Sequence, residues 1–214
     1  MSTDPLNELS FTVSGRIARP CAEVYEAVAD PAQLSEFIQW GMQKYPAENY
    51  ALIISDHGGG WQGACSDDRS NSWMTLPMLE QGLSDAREKT GRKLDVLGFD
   101  ACLMASAEVA HQLRDEATYL VGSQETEGGA GWQYNRVLSK DTLASTDERI
   151  RTRLDYTPKE FAENIVNMAQ GHQGDLATMT AFDTSKIGAI TDSVKSFGEA
   201  IVNSPISSAD LAAA

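Results

Sequence analysis

Two residues combine a reactive side chain with a telling position. His57 follows the apolar run Tyr50-Ala51-Leu52-Ile53-Ile54-Ser55 and is trailed by Gly58-Gly59-Gly60-Trp61. Cys102 follows a second apolar run, Leu94-Asp95-Val96-Leu97-Gly98-Phe99-Asp100. A thiolate is a strong nucleophile. An imidazole can take a proton from a thiol and pass it to a leaving amine. Glycines after the histidine leave room for a bound backbone to come close. Each residue alone also has a plainer reading: a free cysteine is often a small buried apolar residue, and a turn histidine is often merely exposed. The pair is more informative than its members, because both close a short apolar run.

Runs of that length without alternation read as strands buried on both faces, as in a parallel sheet. Asp30-Pro31 is a helix start, with an N-cap and Pro at the first helical position. Leu34, Phe37, Ile38 and Met42 continue at helical spacing, which predicts a helix over 31–44 that stops at Tyr45-Pro46. A second helix is expected over 76–89, ended by Gly91. A third is expected to begin at Cys102 and run to Leu113. Its N-terminal positive potential would favour thiolate over thiol. Tyr119–Ser123 reads as a third strand, leading into the Gly-rich segment 124–132. Thr157-Pro158 opens a further helix, Thr178–Phe182 reads as a strand, and 183–202 as a closing helix. The polar stretch Gln62–Trp73 reads as a mobile surface loop, and 138–156 as another. In residues 1–29, Leu9–Val13 reads as a short strand and Cys21–Val28 as a helical or extended piece. Alternating helices and strands imply an α/β fold with crossover helices. Ligands in such sheets bind at the carboxyl ends of the strands, where His57, Cys102 and the 124–132 loop all fall.

Composition narrows the function classes. The chain has 42% hydrophobic and 22% charged residues, ordinary for a globular domain. Its net charge of −14 and the absence of a basic cluster exclude a nucleic-acid backbone reader; Arg149, Arg151 and Arg153 read as a solvated loop. No apolar run is long enough to span a bilayer, and no secretory leader is visible. Three cysteines, Cys21, Cys65 and Cys102, make no disulfide framework. His57, His111 and His172 are too scattered for a zinc signature. A monomer is expected. The acidity would draw cationic partners inward, or simply keep the protein soluble.

Ile54-Ser55-Asp56-His57-Gly58-Gly59-Gly60-Trp61 and Gly98-Phe99-Asp100-Ala101-Cys102-Leu103-Met104 together resemble the clostripain family of cysteine peptidases, in the clan of caspases, gingipains and legumains. The spacing of 45 residues (102 minus 57) suits that family. So do Asp30-Pro31, Phe37-Ile38-Gln39-Trp40, Tyr45-Pro46-Ala47, Ser123-Gln124-Glu125 and Gly131-Trp132. The resemblance implies a caspase-like three-layer sandwich with a mostly parallel central sheet flanked by helices. It implies a divergent or truncated N-terminal segment over 1–29, a catalytic core over 30–140, and a C-terminal helical extension of the same domain over 141–214. It further implies cleavage of peptides or proteins after Arg or Lys, with Cys102 attacking and His57 protonating the leaving amine. Backbone amides of Gly58 and Cys102 would stabilise the oxyanion. Asp100 would meet the basic substrate side chain, because a buried carboxylate without a partner is costly; capping a helix at Cys102 is a compatible second role. Glu125 and Glu127 would add charge to the pocket, or sit on the surface. Self-processing is expected at Arg69-Ser70 in the loop after His57. The chemistry needs no cofactor; calcium is a possible addition, although the Asp67-Asp68 pair is no coordination shell. The family is largely secreted.

The family also begins with a strand and an acidic, Asn-rich turn that residues 1–29 do not show. A missing strand would leave a sheet edge open. A binding or scaffold module that keeps His57 and Cys102 without turnover is therefore the second reading. An unrelated α/β domain is the third.

Overall fold

The computed structural model describes residues 30–67, 72–137, 156–173 and 178–204. Helix α1 spans Pro31–Lys44, where the Asp30 carboxylate accepts from the Ala32 amide at 2.9 Å. Strand β1 is Ala51–Ser55. A hairpin of β2 (Gly63–Asp67) and β3 (Ser72–Thr75) precedes α2 (Leu76–Thr90). Gly91 ends α2 in the left-handed conformation, φ 67°, which a residue with a Cβ adopts at a cost. Strand β4 is Leu94–Asp100, α3 is Ala107–Gln112 and β5 is Ala117–Ser123. Short α4 (Tyr134–Val137), long α5 (Pro158–Gln173), β6 (Met179–Asp183) and α6 (Ile187–Val202) complete the order.

The main sheet runs β1-β4-β5-β6. β1, β4 and β5 are parallel, and β6 is antiparallel to β5. Residues on β4 alternate between two apolar layers, as a pleated strand requires. Leu97 and Phe99 meet α1, α2 and α3, while Val96 faces the side of α4 and α5 with Trp132 and Ile165. The expected layered α/β architecture with a mostly parallel sheet is therefore present. Ser55 pairs with Asp100 in the β1–β4 register. The two loops that follow thus leave the sheet side by side at one edge, and this is what positions the site.

Two expectations about local structure are corrected. Gln62–Trp73 is not simply a mobile loop, because both of its flanks form the β2–β3 hairpin. Ala64 and Met74 are buried there, and the Gly58–Ala64 bridge ties the hairpin back to the segment after His57. Their apolar contribution is masked by polar neighbours and by a register shift between Ala64 and Ser66, so no clean period shows. Cys102 also does not begin a helix. The chain turns through 101–106, and α3 starts only at Ala107 behind the Ser106 cap.

β1 has one strand neighbour among the described residues. Apolar grooves flank β1, one walled by Trp40 and Tyr45, the other by Tyr156 and Phe161. The segments Leu9–Val13 and Cys21–Val28, the arginines at 149, 151 and 153, the tail from 205 and the boundary near 140 lie outside the described residues.

Candidate active site

β1 ends at Ser55, and the chain continues exposed through Asp56 and His57. The Asp56 amide donates to the Asp100 carbonyl at 3.3 Å, and the Cys65 amide donates to the His57 carbonyl at 2.9 Å. The His57 backbone is thus held between the sheet and the β2–β3 hairpin. Gly58 lies against the other loop. A Cβ on it would stand 2.1 Å from the Cys102 carbonyl oxygen and 2.9 Å from the Met104 side chain. Only glycine permits that approach.

β4 delivers Asp100 and then Cys102. The turn after it is anchored by Met104, which is fully buried, and by two amides. Leu103 N–H donates to the Glu125 carbonyl at 3.0 Å, and Ala105 N–H to the Ser123 carbonyl at 2.9 Å. Leu103 itself has φ 64°. A non-glycine residue there costs about 1–2 kcal/mol, and such outliers gather at functional sites. Cys102 is half-buried. Its sulfur accepts from the Glu127 main-chain N–H at 3.2 Å, with the Glu127 carbonyl at 3.9 Å.

Asp100 is buried but not awaiting a partner, which corrects the expectation of a bare carboxylate. Trp132 N–H donates to both of its oxygens at 3.1 Å, Tyr134 O–H to Oδ2 at 2.7 Å and Ser55 O–H to Oδ2 at 3.3 Å. These donors offset its desolvation. Nor does it cap a helix, since none starts at Cys102. Burial, followed by the hydrogen bond to Asp100, pushes the Tyr134 phenol well above its ordinary range, so it remains a donor.

A cleft of about 350 Å³ gathers these groups, lined by Asp56, His57, Asp100, Cys102, Glu127 and glycines that include Gly131. Of the two acids expected on the third loop, Glu127 lines the cleft. Glu125 is exposed and is not part of the lining; its amide instead donates to Thr178 Oγ1 at 2.9 Å. Asp56 was not singled out by sequence, although it directly precedes His57. Trp132 was quoted only as flanking text, and Tyr134 carries no sequence signal, because its role depends on a loop folding back onto β4. Cys65 stands apart. Burial, followed by the nearby Asp56 charge, pushes its thiol up to about 11.

Arg69 and Asp68 lie outside the described residues, as does the Asp67 side chain. No group of three metal-ligating side chains occurs among the described residues. No helix among them is long and apolar enough to cross a membrane.

Comparison with known proteins bears on the family and the fold. Clostripain from Hathewaya histolytica is 33% identical over 134 residues, 54% of this chain and 25% of that protein. A secreted C11 cysteine protease from Bacteroides thetaiotaomicron, solved with an irreversible peptide inhibitor, superposes with a TM-score of 0.58 at 24% identity. That match covers 77% of this chain and 47% of the other. An inactive zymogen C11 protease from Parabacteroides distasonis gives 0.57 at 23% identity, covering 77% and 42%. At these identities the two structures establish a shared fold, the caspase-like sandwich. The chain spans about a quarter of the curated relative and under half of either solved structure. A sequence profile of the clostripain family matches residues 14–212, taking in both strand-end motifs, and the chain belongs to that family.

Proposed function

We propose that this domain is a cysteine endopeptidase in which Cys102 is the nucleophile, His57 the acid–base and the preferred cleavage site follows Arg or Lys. The observation that carries the reading is the β1–β4 register, which sends His57 and Cys102 from adjacent strand ends into one cleft. The Cys102 thiolate attacks the scissile carbonyl carbon, and the carbonyl π electrons move to oxygen. The amides of Gly58 and Cys102 receive that oxyanion. In support, neither donates a hydrogen bond within the protein among the described residues. His57, protonated, gives its proton to the departing amine as the C–N bond breaks. Water then attacks the thioester while His57 takes its proton, and the acid leaves with Cys102 regenerated. Among the described residues no side chain hydrogen-bonds the His57 ring, which suits a dyad.

Preference for a basic residue is supported by three carboxylates around the cleft, Asp56, Asp100 and Glu127. Their summed field favours a cation even though Asp100 already has donors. The clostripain relative is 33% identical over 134 residues. Peptide or protein substrates, a monomeric state, export from the cell and cleavage at Arg69 belong to the same proposal. The alternative, a module that keeps the pair without turnover, rests on one observation, that β1 has a single strand neighbour among the described residues.

Steady-state hydrolysis of matched fluorogenic peptides ending in Arg, Lys or norleucine, with and without calcium, tests the reading. Turnover of the basic pair, reduced at least about 10⁴-fold in Cys102→Ala, is the expected result. No turnover with any peptide would move the assignment to the module. Intact mass after incubation, compared with Cys102→Ala, tests Arg69; identical masses would exclude self-cleavage.

A further inference from the structure

The Cys102 thiolate needs electrostatic help that the fold does not supply in the expected way. No helix begins at Cys102; α3 starts five residues later, at Ala107. The titratable groups lining the cleft with Cys102 are His57 and Asp56 from the loop after β1, Asp100 from β4 and Glu127 from the loop after β5. Three of these four are carboxylates, and like charge disfavours a thiolate. Besides His57, the group placed to favour it is the Glu127 main-chain N–H, 3.2 Å from Sγ. A hydrogen bond donated to the charged form stabilises that form.

That amide sits in a loop whose backbone has little stiffness of its own, since Gly128, Gly129 and Gly131 follow it. Its aim must be set by something else. The Glu127 carboxylate Oε2 accepts from the Trp132 indole Nε1 at 3.2 Å. Trp132 is 3% exposed, and its ring lies against Gly98 of β4, where a Cβ would meet it at 3.0 Å. The Trp132 amide in turn grips Asp100, two residues before Cys102. The contacts close a circuit from Cys102 through Glu127, Trp132 and Asp100 back to Cys102. At the base of the loop, Leu103 N–H holds the Glu125 carbonyl.

We infer that Glu127 is a positioning residue: its carboxylate, held by the Trp132 indole, aims the Glu127 amide at the Cys102 sulfur so that the thiolate is favoured. The inference rests on Cys102 being the nucleophile, but its test needs no turnover. In the thiol form S–H faces the Glu127 carbonyl; once the proton leaves, the N–H contact alone remains to act on the sulfur.

The experiment is the rate of Cys102 carbamidomethylation by iodoacetamide from pH 5 to 10, read by peptide mass spectrometry in the intact protein. Wild type is compared with Glu127→Ala, Glu127→Gln and Trp132→Phe. Cys65 remaining unlabelled at neutral pH reports a native core in each variant. The account expects Trp132→Phe, which keeps every charge, to move the pH midpoint upward by about one unit and to slow labelling at pH 7 about tenfold. Glu127→Ala and Glu127→Gln both remove one of the carboxylates that disfavour the thiolate. Only Gln keeps an oxygen that accepts from the indole, so Glu127→Ala should have a midpoint about one unit above that of Glu127→Gln. An unchanged midpoint in Trp132→Phe, or equal midpoints in Glu127→Ala and Glu127→Gln, would overturn the assignment. So would faster labelling of Trp132→Phe at every pH, which would make the Glu127 main chain a cover over the sulfur. Because alkylation is independent of peptide cleavage, an inactive enzyme with the expected profiles would count against the peptidase reading alone.

Discussion

Gly58 and Cys102 touch through backbone, and much of the site's geometry depends on that contact. The Gly58 Cα packs against the Cys102 carbonyl so closely that a methyl group would overlap it at 2.1 Å. Gly58→Ala must therefore push the His57 loop and the Cys102 turn apart. The expected cost is about 1–3 kcal/mol of stability and, because a displacement near 1 Å can remove about 10²-fold in rate, a hydrolysis defect out of proportion to it. Urea denaturation beside peptide kinetics checks this; a variant with wild-type rates would show that the contact does not set the alignment. At this scale the sequence was readable where a residue's role followed from the end of a strand. His57, Cys102 and Asp100 all lie in the cleft lining. It was unreadable where a role arises from a loop folding back. Tyr134 and Trp132 reach Asp100 across more than thirty residues of chain, and nothing local in either one announces it.

Elements follow the same division. α1, α2, β1 and β4 matched their expected spans closely, because their apolar periods and their caps, Asp30-Pro31 and Gly91, agree with the tertiary structure. The hairpin was missed because its buried residues are few and its register is broken. The late start of α3 was missed because the Ala101–Ser106 turn contains residues that would serve in a helix equally well. Tertiary anchors, Met104 and the amides of Leu103 and Ala105, decide against one. A half-buried ion pair fastens α2 to the start of β5: Arg87 Nε lies 3.0 Å from Glu116 Oε2, with the Glu116 side chain 4% and the Arg87 side chain 39% exposed. Burial pushes the Glu116 carboxyl upward, and Arg87 opposes that shift. Arg87→Met removes the counter-charge and leaves a desolvated carboxylate. With Arg87 partly solvated, the expected loss is about 1–3 kcal/mol at neutral pH. The sign with pH is definite. A carboxyl whose folded-state pKa is raised contributes most at low pH and loses that contribution as pH rises through the folded value. The Arg87→Met penalty should therefore shrink as pH falls toward the ordinary carboxylate range. Urea midpoints at two pH values measure it, and a penalty that grows on acidification would contradict the account.

At the scale of the molecule, the described residues form an α/β sandwich with the candidate site at the ends of its parallel strands. Fold class was legible from alternating elements, and family from two motifs joined by their spacing. The antiparallel direction of β6 was not legible, because a short apolar run carries no record of its direction. The net charge of −14 and the acid-lined cleft both produce a field that attracts cations.

The central claim, that Cys102 is a nucleophile served by His57 in a cleft suited to a basic side chain, is tested most directly by adduct mass. The protein is incubated at pH 7 with a peptidyl electrophile carrying Arg at the reacting position, and the modified peptide is located by mass spectrometry. The account predicts one adduct, on Cys102, with Cys65 untouched because burial holds its thiol up at about 11. It also predicts far slower labelling in His57→Ala and in wild type exposed to the norleucine analogue. Equal labelling of Cys102 by both electrophiles, with no effect of His57→Ala, would contradict it.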